Sequence, residues 1–208
     1  MTSPASAQDI RAEQRIFDIL ASVRVAFAEK GFDGASMQDL ARAAGISVGN
    51  FYRYFPSKSA IIDQLIAHDL AEMDRHFAEI MTSPFPLLAL KQQVSAQIQL
   101  HQNCADGQIW AEITASALRK PEIARAADLM EASITANLMQ VFARETGLPL
   151  AEITRRFQSH ASYIVLLVKA ASMQAPRAPE ARDALNALIL QTIDQMLAEV
   201  ARASLKVL

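Results

Sequence analysis

Cysteine is nearly absent from this chain: Cys104 is the only one in 208 residues. A lone thiol excludes an internal disulfide framework and fits a reducing compartment. Glycine is scarce too, with six residues, and none falls in a G-x-x-x-x-G-K or G-x-S-x-G arrangement. Neither a phosphate-cradling loop nor a nucleophile elbow is therefore written in the chain. Aromatics make up only 6%, and alternating β-branched runs are missing, so sheets are not expected. The longest apolar run, Tyr163 to Val168, spans six residues, against the roughly 20 needed to cross a bilayer as a helix. The N-terminus shows no basic flank followed by an apolar stretch, so a secretory signal is not expected and a cytoplasmic location is.

What is present is half apolar, at 51%, and rich in alanine, leucine, isoleucine, glutamine, glutamate and arginine, all compatible with helix. An all-α protein of about nine helices is expected. The formal net charge of −2 is uneven: residues 1–60 carry +1 and residues 61–208 carry −3. A slightly positive head on an acidic body fits a protein that meets a polyanion at one end, although a difference this small decides nothing alone.

The stretch Ser36 to Lys58 organises the rest. Ser36 followed by Asp39 reads as a capping box at a helix start. Leu40, Ala41 and Ala44 mark one buried face. Gly45 ends that helix, because glycine takes φ > 0 without a Cβ clash. Ile46 plugs the corner, Ser47 caps a second helix to about Tyr54, and Pro56 stops it. Ser57 caps the next. Two short helices joined by a glycine-containing turn form a helix-turn-helix, whose second helix enters a DNA major groove N-terminal end first.

The candidate nucleic-acid surface comprises Ser36, Gln38, Ser47, Val48, Gly49, Asn50, Tyr52, Arg53, Tyr54 and Lys58. Asn50 and Gln38 are the base-reading candidates, since an amide pairs two-pronged with adenine. Tyr52 and Tyr54 offer hydroxyls to phosphate oxygens, and Tyr52 alternatively packs at the core boundary. Arg42 and Arg53 reach phosphate or are simply solvated. Lys58 combines a positive charge with a helix N-terminus, which suits an anion. Phe51 and Phe55, four apart, should face inward.

These residues carry a resemblance. Ile19 and Leu20, F-A-E-K-G-F at Phe27 to Phe32, S-M-Q-D-L-A at Ser36 to Ala41, A-G-I-S at Ala44 to Ser47 and G-N-F-Y-R-Y-F-P-S-K at Gly49 to Lys58 together resemble the DNA-binding domain of TetR-family transcriptional regulators. The resemblance covers about the first third of the chain. Two positions depart from the pattern. Ser59 stands where an acidic residue is usual, leaving Lys58 without a neighbouring carboxylate, and Asn50 stands where threonine or alanine is common.

Two domains are expected: residues 1–56, the helix-turn-helix domain with a flexible tail at 1–8, and residues 57–208, a helical effector-binding and dimerisation domain. The first helix, about Asp9 to Lys30, carries Ile16, Ile19, Leu20, Val23 and Phe27 on one stripe and closes the head core. Helices follow at about Ser57 to Met81, Leu87 to Asn103, Gln108 to Leu118, Pro121 to Thr146, Leu150 to Gln174 and Pro179 to Ala203. The helix from Ser57 starts in the head and ends in the body, which makes it the natural mechanical link. In the helix from Leu150 the apolar run covers the whole circumference. The last helix has a stripe too wide for one contact. Both can pair with their copies in a two-fold, four-helix interface, or simply close the monomer core; the resemblance implies the dimer.

Soft apolar residues in the body suit either a core or a site for varied apolar ligands. The resemblance implies an effector cavity there, and the candidate lining is Met73, Phe77, His101, Trp110, Met130, Asn137, Phe157 and His160. Gln97 and Tyr163 are further polar candidates. His101, Cys104 and Asp106 lie close together but fall short of a four-ligand set, so no metal and no cofactor are expected. No nucleophile–base pair is legible, and no enzyme is expected. The reading is a homodimeric repressor released from a palindromic operator by a small apolar or amphipathic effector. Its alternatives are an activator of the same family or a helical ligand-binding dimer with weak or lost DNA binding.

Overall fold

The computed structural model describes residues 7–101, 106–174 and 178–204, with side chains from residue 14 onward except that of His101. Among the described residues there are nine helices and no strand: α1 Ala7–Gly34, α2 Met37–Ala43, α3 Val48–Tyr54, α4 Lys58–Thr82, α5 Pro86–His101, α6 Asp106–Ala117, α7 Pro121–Thr146, α8 Leu150–Ser172 and α9 Pro179–Ser204.

Most helix boundaries follow the expected signals. Ser57 caps α4 through a bond from the Ala60 amide. Phe55, held before Pro56, is extended at φ −134° and closes α3. Pro121 occupies the first turn of α7, where a missing amide proton costs nothing. Three boundaries differ. Ala7 and Gln8, assigned to the tail, are helical; both are good helix formers, and the rest of the expected tail lies outside the described residues. Asp106 and Gly107, expected in a break, open α6, since the first turn tolerates glycine. Gly31 does not end α1 with a left-handed cap. It kinks the helix at φ 70° and ψ 165°, a region open to glycine alone, and one more turn follows to Gly34.

The buried apolar residues form two clusters. One joins Phe27 and Phe32 of α1, Leu40 of α2, Phe51 of α3 and Ile61 and Leu65 of α4 to Ile109 and Ile113 of α6 and Ile123 and Met130 of α7. The other packs α4 and α5 against α7, α8 and α9 around Ile98, Phe142, Phe157, Ile164, Ile193 and Val200. The head core is therefore shared with the body through α6 and α7 as well as through α4. Glu112 of α6 accepts a bond from the Phe32 amide at 2.9 Å. It approaches so closely because Gly31 has no side chain: a Cβ there would lie 3.2 Å from the Glu112 carboxylate oxygen. No helix among the described residues is long and apolar enough to cross a membrane.

Candidate functional site

The exposed face of the head is held from beneath by short-range bonds. The Ser36 hydroxyl accepts from the Asp39 amide at 3.1 Å, and the Asp39 carboxylate accepts from the Ser36 amide at 3.0 Å, completing the capping box. Lys30 of α1 also donates to Asp39 at 2.7 Å. The Lys30 ammonium, then the Ser36 donors, hold the Asp39 carboxyl far below the usual carboxylate range. At the other end of α2, Gly45 adopts φ 65°, and the Ile46 amide reaches back to the Ala41 carbonyl at 3.1 Å. This is the bond that turns the chain into α3. Ser47 then caps α3, accepting from the Asn50 amide at 3.2 Å.

Phe51 and Phe55 are fully buried, with ring centroids 5.4 Å apart. They pin α3 so that Val48, Gly49, Tyr52, Arg53 and Tyr54 face solvent. Tyr52 is 48% exposed, which places it outside the core. Asn50 is half-buried at the first turn, while Gln38 and Ser36 are exposed on the α2 side. Arg42 and Arg53 are exposed and have no ion-pair partner among the described residues. Lys58 departs from the expected arrangement. Its ammonium donates to the Phe32 carbonyl at 2.7 Å and the Asp33 carbonyl at 3.1 Å, so it brackets α4 to the end of α1. Among the described residues, these two bonds account for two of its three donors.

The second feature is a cavity of about 540 Å³ bordered by α1, α4, α5, α6, α7 and α8. Of the eight candidates, Met73, Phe77, Trp110 and Met130 line it. Asn137, Phe157 and His160 do not. Asn137 turns outward to donate to Asp74 at 2.8 Å. Phe157 packs edge-on to Phe142 in the body core. His160 meets Glu199 of α9 at 3.1 Å. On α8 the cavity begins further along, at Ile164, Val165 and Val168. The His101 side chain lies outside the described residues, as does Cys104; Gln97 lines the cavity, whereas Tyr163 is exposed on the outer face of α8.

The charged lining was not anticipated. Arg24 of α1 is paired with Asp69 of α4, and it donates to Asp106 of α6 at 3.0 Å. Burial pushes the Asp69 carboxyl above its ordinary value, and the Arg24 charge opposes that. Lys169 of α8 is paired with Glu131 of α7. Glu72, Asp128, His68 and His76 are the other ionisable residues of the described lining. A signal for the first pair exists in the sequence. Asp69 sits between Ile66 and Met73, and Arg24 between Leu20 and Phe27, so each charge falls inside an apolar stripe.

Residues 19–65 match the family described as bacterial regulatory proteins, tetR family. The chain is 30% identical over 150 residues to the HTH-type transcriptional regulator BetI of Serratia proteamaculans, covering 70% of this chain and 72% of that protein. It is also 30% identical over 107 residues to the HTH-type transcriptional regulator UidR of Escherichia coli strain K12, covering 51% of this chain and 53% of that one. The chain thus spans about half the length of some of the curated relatives it matches. In three dimensions it resembles GusR of Salmonella enterica, with a TM-score of 0.66 at 22% identity, covering 91% of this chain and 96% of that one. That likeness speaks for the fold. The capping box, the glycine turn and the pinned second helix occupy the segment that the family shares, and the chain belongs to the TetR family of bacterial regulatory proteins.

Proposed function

We propose that the protein is a homodimeric, ligand-responsive transcriptional regulator, a repressor that leaves a palindromic operator when a small molecule fills the body cavity. The observation that carries this reading is α3: two buried phenylalanines hold it, and its opposite face presents Val48, Gly49, Tyr52, Arg53 and Tyr54 to solvent. Asn50 and Gln38 read base edges, while Arg42, Arg53, the two tyrosines and the remaining Lys58 donor contact phosphates.

Dimerisation supplies the half-site spacing, roughly 34–36 Å or somewhat more for heads on one face of the duplex. Its support is the outer face of the last two helices. Leu166 of α8 is 58% exposed and Leu188 of α9 is 59% exposed, although both helices also bury a full apolar side in the body core. The apolar run in α8 is thus only partly covered within one chain. A second copy pairing through 150–174 and 179–203 covers the rest. Ligand entry acts by favouring a body conformation in which the heads no longer match that spacing. The cytoplasm is the compartment in which such a regulator meets its operator.

A gel-shift titration with DNA flanking its own gene tests the reading. Affinity should fall steeply with salt, and Arg53→Ala should reduce the slope of log K against log salt by about one. Light scattering should report a dimer that Leu166→Glu with Leu188→Glu converts to a monomer. A folded dimer with no affinity for any of that DNA would replace this reading with a ligand-binding dimer that has lost its operator.

A further inference from the structure

The cavity walls are apolar and aromatic over most of their area, with Phe17, Phe77 and Trp110 among them. Among the described residues, five carboxylates also line the cavity, from Asp69, Glu72, Asp106, Asp128 and Glu131, against two permanent cations, Arg24 and Lys169. Both cations are already engaged: Arg24 by Asp69 and Asp106, Lys169 by Glu131. Glu72 and Asp128 have no hydrogen-bond or ion-pair partner among the described residues. Among the described residues an anionic ligand would find no uncommitted permanent positive group here, and would face two uncompensated negative ones. A positive, greasy ligand would find both a carboxylate and an aromatic face.

We propose that the cavity takes an amphipathic organic cation, its apolar part against Trp110, Phe77 and Met73 and its charge among the carboxylates of α4 and α7. The proposal rests on the reading of this cavity as an effector site and names the effector's chemical class. It also identifies where occupancy reaches the head. Arg24 belongs to α1, the helix whose Val23 and Phe27 are fully buried in the head core. A cation beside Asp69 and Asp106 competes with Arg24 for them, and the tie from α1 to α4 and α6 loosens.

The test uses two probes of the same shape and opposite charge, tetraphenylphosphonium and tetraphenylborate, titrated into the full chain. Trp110, the only tryptophan, reports occupancy by fluorescence from the cavity wall. The phosphonium should quench saturably, and tetraphenylborate should bind at least about tenfold more weakly. The double variant Glu72→Gln with Asp128→Asn should weaken the phosphonium by about tenfold and narrow the gap. Both side chains are exposed, so the fold survives, which circular dichroism checks. Borate binding as tight as phosphonium, unchanged phosphonium affinity in the double variant, or no saturable quench by the phosphonium would each overturn the proposal. A parallel gel shift keeps the two readings apart. If the phosphonium binds as described but the chain holds no operator, the regulatory reading fails while the charge preference stands. If the borate alone releases operator, the charge preference fails while the regulatory reading stands.

Discussion

The head surface and the body cavity are built by different means. Around α2 and α3, the bonds are local: Ser36 with Asp39, Ile46 with Ala41 and Ser47 with Asn50 lie three to five residues apart, and Lys30 with Asp39 nine. Around the cavity they join helices far apart in the chain: Arg24 with Asp69 and Asp106, Lys169 with Glu131. The first kind of construction fixes a surface from within one or two turns of chain. The second ties separate helices to one another through side-chain pairs, so it depends on how the helices pack.

The sharpest break in this comparison is Phe51→Ala. It removes a fully buried ring and should cost about 3–5 kcal/mol, measured by urea unfolding. Because the head core includes Ile109, Ile113, Ile123 and Met130 of the body, the loss should lower the whole melting transition; a body that melts unchanged would show the two regions to be independent.

Arg24→Ala comes next. It strands Asp69 in a half-buried site, where the two side chains are only 16% and 15% exposed, at a cost of about 2–3 kcal/mol. Asp69→Asn should cost clearly less, since it removes the charge that burial already disfavours. Equal losses would mean that the pair is valued for its charge rather than for avoiding an orphan.

Gly31→Ala should cost about 1–3 kcal/mol, through the strained φ and the approach of Glu112. Thermal melting alone and with Glu112→Ala separates the two contributions.

The smallest effect concerns pH. The Asp39 carboxyl is depressed in the folded chain. Its stabilisation is therefore full above the unfolded value near 3.8 and is lost as pH falls through and below it. Asp39→Asn should lower the melting temperature slightly at pH 7, and the difference from the parent should shrink steadily as pH falls below 3.8 toward the depressed folded value, in a series of melts.

The head was legible because its signals are local. Capping residues, a glycine that must take φ > 0, and phenylalanines four apart each constrain neighbours within one turn, and none depends on what packs elsewhere. The cavity was half legible. Met73, Phe77, Trp110 and Met130 lie on apolar faces that any partner would cover. Phe157 and His160 lie on the same helix as Ile164, Val165 and Val168 of the cavity wall but nearer its start, where α8 meets α7 and α9 instead. Asn137 lies one position from Leu138, a rotation of about 100° that turns it out of the cavity. The Lys58 contacts were not legible for a related reason: a lysine at a helix start suits an anion, and only the packing brings two carbonyls at the end of α1 within its reach as well.

From its residues alone this chain was bound to be helical, to carry a glycine-turned pair of short helices, and to leave the second helix's outer face in water. Those features follow from backbone conformation and apolar spacing within single elements. Which charges meet inside the body, and that α6 and α7 complete the head core, was decided only when the helices packed. The apolar stripes mark Arg24 and Asp69 as buried charges, but pairing between residues 45 and 82 positions apart is selected by burial shared among several helices, so the chain does not name the partners.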